Sequence, residues 1–123
     1  LLQELNLQHW VLALSDKPSE SHTAAQISQI YGQHHAVLHL CNDWGDRSPA
    51  QHKETLIHEI LHLHLFGVQN ATNALGDVLP SKMVQYIYNN VEREIEYTVS
   101  ALARVLARHL NDPPAILVKQ DII

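Results

Sequence analysis

Residues 55–67 read TLIHEILHLHLFG, an apolar run that contains three histidines and one glutamate. Within it, His58, Glu59 and His62 spell the pattern H-E-x-x-H. In an α-helix His58 and His62 are one turn apart on the same face, so both imidazoles can approach one metal ion. Glu59 lies beside them, close enough to reach a water on that ion without being a ligand. These are the groups that a hydrolytic Zn²⁺ requires: neutral His donors, a water of lowered pKa and a carboxylate that accepts its proton.

The same residues allow a second interpretation, in which they belong to a core helix and hydrogen-bond to neighbouring groups. Burying two histidines and a glutamate without such partners would be costly. The third histidine, His64, falls two residues after His62 and about 200° round the helix, so it cannot reach the same ion. We expect His64 to be exposed or hydrogen-bonded elsewhere.

The residues before the motif predict where its helix begins. Ser48 suits the N-cap position, Pro49 the first helical position and Gln51 the capping-box position. The helix is predicted from about Pro49 to Phe66, with Gly67 ending it.

The rest of the chain predicts an α+β fold, in which a short β-sheet packs on the motif helix and on a long C-terminal helix. That helix opens at Pro80 or Ser81 and runs to about Leu110. The other predicted elements are a strand at 7–14, a helix at 18–32, a strand at 34–42 and a loop at 67–80.

Two histidines are one ligand fewer than a catalytic zinc site needs, because such sites usually have three protein ligands and one open position. The single cysteine, Cys41, offers no Cys pair, so the third ligand must be His, Asp or Glu. The long helix is the best source: Glu92 and Glu96 share one flank of it, and Glu94 lies on the other. At least one of these acids is expected to be a solvated charge that pairs with an arginine.

With this motif and a glutamate on a later helix, the sequence resembles the zincin metallopeptidases of the gluzincin kind. It resembles more closely the small phage and prophage minimal zincins and the peptidase part of ImmA/IrrE-like proteins. The resemblance rests on TLIHEILHLH and on EYTVSALARVL, and it covers roughly residues 34–108. One departure is His64, which stands where the family usually has a hydrophobic residue.

The resemblance implies a zinc metallopeptidase that hydrolyses a peptide or protein substrate through a zinc-bound water. It makes His58, His62 and Glu96 the Zn²⁺ ligands, with Glu92 as the alternative third ligand, and Glu59 the general base. It also implies that the strand at 34–40 is a sheet edge to which an extended peptide could add. Candidate donors to the oxyanion are Tyr86, Tyr88, Tyr97, His39 and His64.

A function of another class stays open: a catalytically silent zincin fold that serves as a structural or interaction protein, for instance in phage assembly or in the phage particle. The 123 residues leave little room for a substrate-recognition subdomain, and the apolar tail AILVKQDII could bind a partner. We therefore expect one domain over residues 1–123, with 110–123 as a mobile or partner-binding tail.

Composition excludes several partners. The formal net charge is −5 with only 8 Lys and Arg, so nucleic acid and anionic membranes are not expected to bind. No run approaches the ~20 apolar residues that span a bilayer, and no signal peptide is evident. We expect a cytoplasmic protein, located in the host cell or in the virion if the chain derives from a phage. The chain opens at Leu1 rather than Met, so a segment could precede it.

Overall fold

The computed structural model describes residues 2–20, 23–30 and 33–110. It confirms the α+β prediction, with a three-stranded sheet and three helices of which the last is long. The predicted tail lies outside the described residues except for Leu110. In the part of the chain that is described, no helix has both the length and the apolarity needed to cross a bilayer. The elements are β1 (Val11–Leu14), β2 (Ala25–Ile30), β3 (His35–Leu40), α1 (Pro49–Leu61), α2 (Phe66–Ala74) and α3 (Ser81–Leu106).

The helix predicted at 18–32 is wrong, because this segment contains strand β2. Ala24, Ile27 and Ile30 have helical spacing, but so short a helix would be marginal without strong packing. As a strand, the segment pairs antiparallel with β3 over all six residues, from Ala25 opposite Leu40 to Ile30 opposite His35. This pairing satisfies the backbone groups that face β3, so tertiary context overrides the local pattern.

The strand order is β1-β3-β2, which makes β3 the central strand. The strand predicted at 34–42 is present as β3. Its assignment to a sheet edge is wrong, because β3 has a neighbouring strand on each side. The edge strand on the side of the helix motif is β2, which contacts α1. Along β3, Ala36, Leu38 and Leu40 are buried on one face, as their alternation predicts.

Helix α1 is shorter than predicted, because it ends at Leu61 and continues as a 3₁₀ turn over His62–His64. Helix α2 then begins at Phe66, so Gly67 lies inside a helix rather than ending one. The predicted loop at 67–80 is also wrong for its first half. The chain turns at Leu65 and continues as α2, which packs on α3.

The main core lies between the sheet, α1 and α3. On α3 the buried positions are Ile95, Val99 and Ala103, one turn apart, whereas the apolar residues Leu102 and Val105 are about half exposed. Burying a Val or Ile side chain contributes roughly 1.5–3 kcal/mol to the free energy of unfolding. These contacts therefore hold α1 and α3 against each other. The α1 residues of this core are Ile57, Ile60 and Leu61, and the N-terminal segment adds Leu5, Leu7 and Trp10.

Candidate metal centre

The start of α1 follows the predicted capping box. The Ser48 hydroxyl accepts a hydrogen bond from the Gln51 backbone at 3.2 Å, and the Gln51 side chain accepts one from the Ser48 backbone at 2.8 Å. These bonds satisfy two backbone groups that a helix start leaves open. Because the next turns of α1 bury an apolar stripe against α3, the H-E-x-x-H residues lie on the flank beside that stripe.

Three of the predicted site residues converge between α1 and α3. The Glu96 carboxylate lies 3.3 Å from Nε2 of His58 and 3.0 Å from Nε2 of His62. One ligand atom from each residue lies within 4.8 Å of the other two. The side chain of His62 is only 9% exposed, whereas that of Glu96 is 48% exposed, so the cluster is open towards solvent on the α3 side.

This donor set fits Zn²⁺ by its chemistry and its spacing. Zn²⁺ binds His nitrogen and carboxylate oxygen at about 2.0–2.2 Å in a tetrahedral arrangement, so two of its ligand atoms lie about 3.3 Å apart. The separation of Oε2 from His58 and that of Oε1 from His62 are each close to that value, and the three ligand atoms as a set lie within 4.8 Å of one another. Without an ion, the same contacts form a hydrogen-bonded cluster, in which a neutral His62 donates to Glu96.

Burial keeps His62 in the form that a metal ligand needs. It lowers the pKa of His62; the negative charge of Glu96 acts in the opposite direction, and the nearby His58 lowers the pKa further. A lowered pKa keeps the imidazole neutral to lower pH, with a lone pair free for coordination.

Glu59 lies beside the three donors and does not belong to their cluster. Burial raises the pKa of Glu59 to about 8, and the Glu96 carboxylate adds to this effect. A hydrogen bond from the Ile27 backbone on β2 works against it. A carboxyl group with a pKa near neutrality is suited to accept and release a proton in solution near pH 7.

The other two glutamates of α3 have different surroundings. Glu92 lies one turn before Glu96 and lines the same cleft, but it is not part of the donor cluster. Glu94 is exposed on the other flank, with its carboxylate 3.9 Å from Nε of Arg93. That matches the expectation that at least one of the three acids is a solvated charge.

Ser100 is a residue that the sequence did not single out. Its Oγ lies 3.4 Å from Nδ1 of His58, on the side of the ring away from Glu96. Ser100 falls four positions after Glu96, hence on the same face of α3 one turn later. In the sequence, only this four-residue spacing from Glu96 points to Ser100. It identifies Ser100 only if Glu96 is already known to face His58 and His62.

A cleft of 740 Å³ opens over the donor cluster. One wall is the edge strand β2 with the residues just before it, and the other walls are α1 and α3. Cys41 donates its backbone N–H to the Ala24 carbonyl at 3.0 Å, so in antiparallel alternation Ala24 and Gln26 turn their backbone groups towards β3. The backbone groups of Ala25, Ile27 and Gln29 then point outward, at the edge facing the cleft.

None of the five candidate donors to the oxyanion lines this cleft. His64 donates from Nε2 to the Leu5 carbonyl at 2.7 Å, as expected for a histidine outside the site. A ring nitrogen of His39 lies 3.2 Å from the Lys17 carbonyl. Of the three tyrosines, Tyr86 and Tyr97 are largely exposed. The uncharged polar residues that do line the cleft are Thr23, Gln26, Gln51, Thr55 and Gln69.

No family model, no curated protein and no solved structure matches this chain. The resemblance of its two motifs to the zincins therefore stays a prediction, and the donor cluster and the cleft are the features that bear on function.

Proposed function

We propose that the chain is a zinc-dependent peptidase, in which His58, His62 and Glu96 hold the metal and Glu59 is the general base. The observation that carries this proposal is the convergence of two His Nε2 atoms on one carboxylate at 3.0 and 3.3 Å, beside a buried glutamate and inside a cleft. Zn²⁺, when bound, supplies a Lewis acid that polarises a carbonyl and lowers the pKa of water.

The protein's own residues supply the proton transfers. The Glu59 carboxylate receives a proton from the attacking water and passes it to the nitrogen of the departing amine. The Ile27 backbone hydrogen bond holds the Glu59 carboxylate at the cleft wall while the proton moves. His58 and His62 act through their ring nitrogens as neutral donors.

The outer edge of β2, which pairs with no other strand among the described residues, would bind the substrate. A peptide in extended form can add to this edge as a further strand, through the outward backbone groups of Ala25 and Gln29. This arrangement would bring the backbone of the peptide, rather than particular side chains, alongside Glu59 and the donor cluster. We therefore propose β2, rather than the strand at 34–40, as the edge to which an extended peptide adds.

The proposal is tested by metal content and by peptide digestion. Wild-type protein should contain about one zinc per chain, and His58→Ala should contain far less. A peptide library should be cut by the wild type and left intact after a chelator removes the metal. Glu59→Gln should retain zinc and lose hydrolysis, whereas Glu94→Gln, a matched change outside the cluster, should retain both. Equal hydrolysis by Glu59→Gln would overturn the mechanism.

A second candidate function is a catalytically silent fold in which the metal only joins α1 to α3. The observation that favours it is that none of the five candidate oxyanion donors lines the cleft. In this case zinc binds and its removal lowers the melting temperature, but the library stays intact with zinc present.

A further inference from the structure

The cleft has two different ends, and two contacts establish their order. The Ile27 backbone reaches Glu59, and the Asn70 side chain donates to Gln29 at 2.9 Å. Since Ile27 precedes Gln29 and Glu59 precedes Asn70, β2 runs in the same direction as α1 followed by α2. The start of β2 therefore lies at the N-terminal end of α1.

Arg47 lies at that end, just before α1. Its guanidinium contacts the Cys41 thiol, and Cys41 in turn donates its backbone N–H to Ala24. Of the described residues that line the cleft, Arg47 is the one with a Lys or Arg side chain. The opposite end of the cleft is lined by Phe66 and Gln69.

The charge of Arg47 is incompletely neutralised within the described part of the protein. Its ion pair with Asp43 is 3.9 Å long, which is beyond hydrogen-bonding distance, and its Nε is buried without a partner. The first turn of α1 beside it carries no acidic residue, so the positive end of that helix adds to the same field. Gln51 uses its Oε1 in the capping box, which leaves its Nε2 amide as a donor on the cleft wall.

We propose that Arg47 determines substrate specificity by binding a carboxylate on the substrate peptide. The inference rests on the proposed peptidase function and adds a substrate class to it. Gln51 lies about 10 Å along α1 from His58, a distance that about three residues of extended peptide span. Antiparallel pairing is the more stable form, so a peptide added to β2 places its C-terminal part at the Arg47 end. The favoured substrate has an Asp or Glu side chain, or its C-terminal carboxylate, about three residues after the cleaved bond.

Glu54 works against this preference. It also lines the cleft, and it lies on α1 between Gln51 and His58. A substrate carboxylate must pass or approach this like charge, so its removal should strengthen the preference for an acid. Arg47 and Glu54 thus offer two substitutions with opposite expected effects on one measured ratio.

The test substrates are variants of one peptide that the wild-type protein cuts in a peptide library. Mass spectrometry of the products identifies the bond that is cleaved in this peptide. Pairs of peptides carry Glu or Gln at the second, third and fourth positions after the cleaved bond. A further pair ends three residues after that bond in a free carboxylate or an amide. The ratio of kcat/KM within each pair is measured for the wild type and for Arg47→Gln, Arg47→Lys and Glu54→Gln, with Arg93→Gln as the matched control.

The wild type should favour the carboxylate by about tenfold in one pair, as expected for a charge-assisted hydrogen bond. Arg47→Gln should bring the ratio to about one, Arg47→Lys should retain part of it, and Glu54→Gln should raise it about two- to threefold. Arg93→Gln should give the wild-type ratio. Whether the side-chain or the terminal pair responds identifies the source of the carboxylate.

A wild type that cuts peptides with a ratio near one in every pair would overturn the inference and leave the peptidase function intact. The same holds if Arg47→Gln folds, cuts and retains the wild-type ratio. A wild type that cuts no peptide in the presence of zinc would overturn the peptidase function and the inference together.

Discussion

The Oγ atom of Ser100 lies 3.4 Å from Nδ1 of His58, while Nε2 of the same ring faces Glu96 at 3.3 Å. The two nitrogens of His58 are thus engaged from the same helix, one turn apart. A neutral imidazole whose Nδ1–H donates to a hydroxyl has its lone pair on Nε2, the atom that a metal needs. When a metal is bound at Nε2, we therefore expect Ser100 to accept from Nδ1–H and so to orient His58 in this tautomer.

Ser100→Ala is expected to weaken zinc binding by about tenfold, the lower end of the range for a group that orients a metal ligand. The Zn²⁺ dissociation constant is measured by competition with a chelating dye. Thr98→Ala, an exposed change on the same helix, serves as the control. An unchanged dissociation constant in Ser100→Ala would show that the contact does not orient the ring.

Replacing Glu96 should distinguish a ligand from a neighbour. Glu96→Gln removes a donor of the cluster, and we expect a loss of zinc affinity larger than the roughly 10- to 100-fold that orienting residues give. Glu92→Gln, one turn away and outside the cluster, should change the affinity little. If Glu92→Gln lost zinc as severely as Glu96→Gln, the assignment of the third ligand would have to move to Glu92.

The metal-free protein should become less stable as the pH rises through the titration of Glu59. The pKa of this group is about 8 in the folded protein and 4.5 as a model value, so the folded state binds the proton more tightly. The stability that its protonation contributes is fully present below about pH 4.5 and is lost as the pH rises towards 8. Glu59→Gln should remove this loss and raise the free energy of unfolding at pH 7 by about 1–3 kcal/mol.

The check for this prediction is chemical denaturation of the zinc-free wild type and of Glu59→Gln at several pH values. The two unfolding free energies should converge near pH 4 and separate towards pH 8. Parallel curves over the whole range would contradict it. Added zinc should reduce the difference, because a cation nearby favours the ionised carboxylate.

His64 is expected to stabilise the protein without contributing to zinc binding. His64→Ala removes the 2.7 Å hydrogen bond to the Leu5 carbonyl, which ties the N-terminal segment to the 3₁₀ turn after α1. We expect a loss of about 1 kcal/mol in unfolding free energy, with zinc content equal to that of the wild type. His109→Ala, another exposed histidine, should change neither quantity, and a zinc deficit in His64→Ala would place His64 in the site.

The sequence predicted best where local signals and packing agree. The capping residues Ser48 and Gln51 form the predicted bonds, and the apolar stripe of α1 is buried. The spacing of His58 and His62 places both on one helix face, although the metal and peptidase roles stay predictions. Glu92 and Glu96 could not be separated by periodicity alone, because both lie on one flank and only the packing of α3 on α1 selects which one meets the imidazoles.

Long-range pairing explains what the sequence could not reveal. Ala24, Ile27 and Ile30 are spaced as in a helix, and only pairing with β3 makes Ala25–Ile30 a strand. The same pairing moves β3 to the centre and gives the edge to β2. The orienting contact of Ser100 and the position of Arg47 at the cleft end also depend on contacts between distant segments, which one sequence does not encode locally.

The donor cluster joins residues that are far apart in the chain, since His62 and Glu96 are separated by 34 positions. An ion bound as we propose would cross-link α1 to α3 and close a long loop that includes α2. Closing such a loop costs entropy that the coordination bonds must offset, so folding and metal uptake become one coupled equilibrium. A chelator would then lower the stability of this protein, and the stability that zinc adds to the folded chain would grow with the free zinc concentration.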